Sequence, residues 1–96
     1  MTLLSLHSSA DVQQLLADAI RRKRKKLKLS RDALAERSTV PASTIKKFET
    51  TGQISLRQFL LLWQSVDRLD KLLELTKEPV KTPRTIEDVL SSVSSR

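Results

Sequence analysis

The apolar positions of this chain fall into blocks at helical spacing, most of them preceded by a residue able to cap a helix. Val12, Leu15, Leu16, Ala19, Ile20 and Leu27 predict a first helix running to about residue 27, opened by an S-x-x-D start at Ser8 and Asp11. Leu34, Ala35, Val40, Ile45 and Phe48 form a second set that closes two short helices on each other, about residues 31–37 and 41–49. Ser30 caps the first of these, Ala35 is the small residue at their closest approach, and Val40 is the plug just past the turn. Residues 50–53 form the following loop. Ser55 and Gln58 then make an S-x-x-Q capping box for a fourth helix reaching about Val66. Leu56, Phe59, Leu60, Trp63 and Val66 are its expected buried stripe, with Leu61 and Leu62 widening the apolar surface. Asp70 is expected to cap a last short helix carrying Leu72, Leu73 and Leu75.

Outside these blocks the pattern thins. Leu3, Leu4 and Leu6 lie on an N-terminal arm, residues 1–8, that either pairs with a partner's arm or frays. Residues 9–76 form the expected domain, and residues 77–96 a linker and tail, with Pro79 and Pro83 marking the linker. In the tail Ile86, Val89, Leu90 and Val93 fall at i, i+3, i+4 and i+7, an amphipathic helix too short to stand alone in water. It either docks on its own domain or folds onto another protein. Leu61, Leu72 and Leu73 exceed the needs of one small core; a dimer seam and denser core packing both account for them. Leu61, Leu72, Leu73, Ile86, Val89 and Leu90 are therefore the candidate dimer or partner surface.

Composition narrows the class. Ninety-six residues suffice for one domain with a modest core. One glycine and three prolines favour an all-α fold over a turn-rich β fold. No cysteine is present, which removes disulfides and thiolate metal sites. No apolar run reaches membrane-spanning length, and the start lacks a signal-peptide pattern, so a soluble protein is expected, cytoplasmic if bacterial. His7 is the sole histidine, and there is no glycine-rich phosphate loop or ligand cluster. The carboxylate pairs Asp67 with Asp70 and Glu87 with Asp88 sit at helix boundaries, where capping accounts for them. No catalytic residue, metal or cofactor is expected, and the chain does not read as an enzyme.

Charge adds more. The net charge is +7, yet residues 21–57 alone hold 12 of the 18 Lys/Arg and only three of the 11 Asp/Glu. That concentration is the electrostatic footprint of a polyanion partner. Seven of the eight residues 21–28, RRKRKKLK, are basic. They read either as a solvated helix end that complements the helix dipole or, in part, as a flank to a DNA backbone. The two short helices, with a basic second member, match an arrangement whose dominant use is to lay that second helix in the major groove of DNA. Pro41, Ala42, Ser43, Thr44, Lys46 and Lys47 point away from the core between its anchors.

The segment from Leu29 to Glu49, LSRDALAERSTVPASTIKKFE, resembles the Xre/Cro/CI helix-turn-helix family, with the likeness covering about residues 12–75. The resemblance implies a lambda-repressor-like five-helix domain with the helix-turn-helix at helices 2 and 3. Three positions depart from the family pattern: Arg31 stands for Gln, Thr39 for Gly and Pro41 for Ser. Thr39 is strained by roughly 1 kcal/mol or more if its φ is positive, whereas Pro41 suits a first helical turn. Position by position, the resemblance implies that Ala42, Ser43, Lys46 and Lys47 face the bases. Either lysine is able to bond guanine O6 and N7 while the other holds a phosphate. Arg31, with the amides at the start of helix 2, and Arg57 are the implied phosphate clamps. Arg24 and Glu49 are the implied structural ion pair.

Within the family the chain is most similar to HipB-type antitoxins, through TIKKFE at Thr44–Glu49, LWQSV at Leu62–Val66 and TIEDVL at Thr85–Leu90. That likeness implies an autorepressor that dimerises on an inverted repeat of double-stranded DNA, with half-sites about 34–36 Å apart. It also implies a HipA-like serine/threonine kinase toxin as partner, within an operon that has room for a third component. A general or phage-type repressor without a toxin, and an interaction module that has lost DNA binding, are the competing readings.

Overall fold

A computed structural model describes residues 7–78. These form five α-helices and no strand: α1 (Ser9–Lys26), α2 (Arg31–Ser38), α3 (Ala42–Thr51), α4 (Leu56–Val66) and α5 (Asp70–Leu73), followed by a 3₁₀ turn over Glu74–Thr76. The all-α class expected from the sequence is the class observed. Residues 1–6 of the arm lie outside the described residues, as do Ile86, Val89, Leu90 and the rest of the tail. No described helix is long and apolar enough to cross a membrane.

Local chemistry explains the starts. The Ser8 amide donates to Asp11 Oδ2 at 3.0 Å and the Asp11 amide to Ser8 Oγ at 3.1 Å, the reciprocal box that opens α1. Ser30 Oγ accepts from the Ala33 amide at 3.0 Å, and Ser55 Oγ from the Gln58 amide at 3.1 Å. The expected box at α4 closes differently, because the Ser55 hydroxyl donates to Gln58 Oε1 at 3.2 Å. Pro41 is the N-cap of α3 and not its first turn, with ψ 143° and a carbonyl that accepts from Thr44 and Ile45. α3 then outlasts the sequence expectation by two residues. The Thr50 and Thr51 hydroxyls donate back to the carbonyls of Lys46 and Lys47 (2.9 and 2.6 Å), so threonines read as loop still continue the helix. Asp70 does not cap α5; it is that helix's first residue and pairs with Arg68.

Two helix ends need left-handed backbone from residues that resist it. α1 ends with Lys28 at φ 59°, while the Leu29 amide donates to the Arg24 carbonyl and the Lys28 amide to that of Lys25. This is a Schellman closure with lysine where glycine is usual. α2 ends on Thr39 at φ 67°, the strained conformation the sequence warned of. Only α3 ends on glycine, Gly52 at φ 78°. A Cβ there would stand 3.2 Å from Gln13 and Gln14 of α1, so both conformation and close approach require Gly52.

The core is Ala17, Ile20, Leu34, Val40, Ile45, Phe48, Phe59, Leu62 and Trp63. α1 and α2 each pack on both α3 and α4. Phe48 of α3 meets Phe59 of α4 edge-on at 5.9 Å, and Phe59 lies 6.0 Å from Trp63. Two helices bury only part of the faces their apolar residues suggested, keeping Ile20 on α1 and Phe59 and Trp63 on α4. α1 buries Ala17, Ile20 and Arg24, leaving Val12, Leu15 and Leu27 exposed. α4 buries Phe59, Leu62 and Trp63, leaving Leu60 exposed and Leu56 73% exposed. Leu61 and Leu72 are half-buried against the core, while Leu73 stays outside it. The face that α1 buries follows from polar anchors, described below, that draw Gln13, Gln14 and Arg24 toward α3.

Thr39→Gly is expected to raise stability by about 1 kcal/mol by relieving positive φ at a β-branched residue. Gly52→Ala is expected to lower it by about 1–2 kcal/mol. Urea titration followed through Trp63, the chain's single tryptophan, reads both.

Candidate nucleic-acid interface

α2 and α3 meet across a turn in which Ser38, itself buried, accepts the Val40 amide at 3.1 Å and Val40 plugs the core. Ile45, Phe48 and Glu49 face inward from α3. Their burial sets the helix rotation, which turns Ser43, Lys46 and Lys47 to solvent and leaves Ala42 half-buried. Three of the four residues expected to face bases, Ser43, Lys46 and Lys47, thus share the outer side of one helix, and Ala42 lies at its edge. α3 carries no side-chain cap and no acidic residue in its first turn, so its N-terminal amides meet no competing charge there.

Glu49 organises the ground beneath this surface. Its side chain is 1% exposed and accepts three charged hydrogen bonds: Arg24 Nε at 2.7 Å, Arg24 Nη2 at 3.0 Å and Arg31 Nε at 3.0 Å. Arg24 also donates through Nη1 to the Leu29 carbonyl at 2.8 Å. The expected Arg24–Glu49 pair is present and bidentate. Arg31, an implied phosphate clamp, bonds Glu49 through Nε, while its side chain remains 34% exposed at the surface. Burial pushes the Glu49 carboxyl up, but hydrogen bonds from Arg24 and Arg31 and their charges outweigh it, and its pKa lies below the ordinary value.

Two glutamines, which no sequence signal singled out, complete the brace. Gln14 Nε2 donates to the Glu49 carbonyl and Gln13 Nε2 to that of Gly52, each at 3.3 Å, satisfying open carbonyls at the end of α3. Their partners lie 35 and 39 residues away in sequence, so only the packing of α1 on α3 reveals them.

The basic run at the end of α1 divides. Arg24 belongs to Glu49. Lys23 Nζ lies 2.6 Å from Asp67 Oδ2 and 5.2 Å from the centroid of the Trp63 ring, tying α1 to the end of α4. Asp67 also accepts from Lys71 and the Arg68 amide; the Lys23 bond foremost holds its carboxyl well below the usual range. Arg21, Arg22, Lys25, Lys26 and Lys28 remain exposed and make no ion pair among the described residues. Arg57, the second expected phosphate clamp, is exposed in the first turn of α4. An open concavity of about 410 Å³ lies between α1 and the start of α2, lined by Arg21, Arg24, Lys25, Ser30, Arg31 and Asp32. No family model, curated protein or solved structure matches this chain.

Glu49→Gln leaves Arg24 buried without its counter-charge and is expected to cost about 3–5 kcal/mol in urea unfolding. The wild-type contribution of Glu49 is complete above its ordinary value of 4.5 and is lost as pH falls through the lowered folded value. A pH series of unfolding midpoints, in which the variant lacks that acid-side loss, reads the sign.

Proposed function

We propose that this chain is a sequence-specific DNA-binding repressor of the Xre/Cro/CI helix-turn-helix type. The observation that carries the reading is the division of α3. One side, Ile45, Phe48 and Glu49, is buried and held by Arg24 and Arg31, while Ser43, Lys46 and Lys47 share the outer side with Ala42 half-buried at its edge. A rigid basic helix with a small, polar and cationic outer face suits the major groove, where lysine donates to guanine, serine bonds either way and an alanine methyl meets thymine. The positive balance of residues 21–57 supports a polyanion partner.

In this reading Arg57 grips the backbone on one side of α3. On the other, Arg31 reaches a phosphate with the part of its guanidinium that Glu49 does not hold. Arg31 is then a bridge between the brace and the DNA, and not a free clamp.

The finer assignment is a HipB-type antitoxin that represses its own operon as a dimer on an inverted repeat and binds a HipA-like kinase toxin. Its support is the sequence likeness at residues 44–49, 62–66 and 85–90, together with exposed Leu56, Leu60, Leu69, Leu73 and Leu75 along the α4–α5 side. Those leucines are also what a pure interaction module would show; the basic balance around α3 favours the DNA-binding reading.

Replacing both Lys46 and Lys47 with Ala is expected to abolish the sequence-specific gel shift of the DNA upstream of the protein's own coding sequence. Urea unfolding of the variant should match the wild type, because both side chains are exposed. A normal shift by the double variant overturns the assignment of α3.

A further inference from the structure

Four exposed cations in the last turns of α1, Arg21, Arg22, Lys25 and Lys26, make no ion pair among the described residues, and geometry sorts them. Arg21 and Lys25 stand one helical turn apart and line the concavity beside the start of α2, together with Arg31. Arg22 and Lys26 are each one residue further on, about 100° round a helix of 3.6 residues per turn, and neither lines it. Around the concavity Arg21, Arg24, Lys25 and Arg31 face two carboxylates, Asp32 on the rim and Glu49 behind Arg24 and Arg31. A positive balance remains at an open hollow, a shape that lets a strand of phosphates pass by.

The hollow also has a place relative to α3. Ala42, Lys46 and Glu49 fall at i, i+4 and i+7, one row along that helix. Glu49, the buried end of that row, is bonded by Arg31, which also lines the concavity, so the concavity lies beside the last turns of α3.

We propose that Arg21 and Lys25, continuing from Arg31, form a backbone track that holds phosphates of the same DNA duplex beyond the bases faced by α3. Arg22 and Lys26 take no part in it. The proposal rests on the DNA-binding reading above and adds to it a contact from α1, which lengthens the duplex the domain covers without adding base recognition.

The test is fluorescence anisotropy of the full chain against a labelled duplex from its own upstream region, titrated across KCl concentrations. Because each phosphate contact contributes about 0.9 to the slope of log K on log salt, R21Q/K25Q should lower the slope by about two, and R22Q/K26Q should leave it unchanged. Neutral methylphosphonates in the flanking duplex should reproduce the R21Q/K25Q loss with unaltered protein, and should cost that variant nothing further. This arm remains decisive even if the variant folds poorly by Trp63 emission. An unchanged slope in R21Q/K25Q with wild-type binding intact overturns the track alone, as does an equal loss in R22Q/K26Q, which would mean diffuse charge. Loss of binding to phosphatidylglycerol vesicles in R21Q/K25Q, with the DNA slope unchanged, overturns it in favour of a membrane surface. Failure of the wild type to bind any duplex overturns the DNA-binding reading and the track with it.

Discussion

One buried carboxylate holds the molecule's parts in register. Glu49 of α3 accepts from Arg24 of α1 and Arg31 of α2, and Arg24 reaches on to the Leu29 carbonyl in the connection between α1 and α2. Three helices and a loop therefore meet on one charged network. A carboxylate this deeply buried is tolerable only when fully bonded, since an unpaired buried charge is among the most unfavourable features a small domain can carry. Among the described residues no buried side-chain polar atom lacks a partner. The network is directional where the apolar core is not: leucines and phenylalanines tolerate small rotations, but a bidentate guanidinium does not.

That constraint explains the uneven fate of the basic residues. A chain with a net charge of +7 spreads repulsion over its surface, and two of its densest cations are drawn inward to answer carboxylates: Arg24 to Glu49 and Lys23 to Asp67. The first ties α1 to α3 and the second ties α1 to the end of α4. Those left on the outside, on α3, on the outer turns of α1 and at Arg57, keep their charge at the surface, where the proposed DNA contact would use it. Arg31 lies between the two groups, bonded to Glu49 through Nε yet a third exposed.

The apolar surface divides in a similar way. Leu61 and Leu72 pack half-buried on the core, whereas Leu56, Leu60, Leu69, Leu73 and Leu75 remain exposed. The core is small, and its aromatic chain of Phe48, Phe59 and Trp63 already fills the space between α3 and α4. Leucines beyond that volume have no interior to enter.

The sequence by itself determined the number and order of the helices among the described residues, because capping residues and apolar period are local properties. It also determined that Ser43, Lys46 and Lys47 face outward, since Ile45 and Phe48 leave one rotation open, though Ala42 and Thr44 are half-buried, and it marked Thr39 as strained. The tertiary structure alone decided the faces of α1 and α4. Their apolar residues outnumber the positions one face can bury, so periodicity admits more than one rotation. For α1, contacts 25 to 39 residues distant, from Gln13, Gln14 and Arg24 to α3 and its C-cap, select among them. It decided as well that Arg31 serves Glu49 and that Arg21 and Lys25 share a hollow which Arg22 and Lys26 do not. A run of like charges carries no mark of which members will be called inward; that depends on where carboxylates from other helices come to rest.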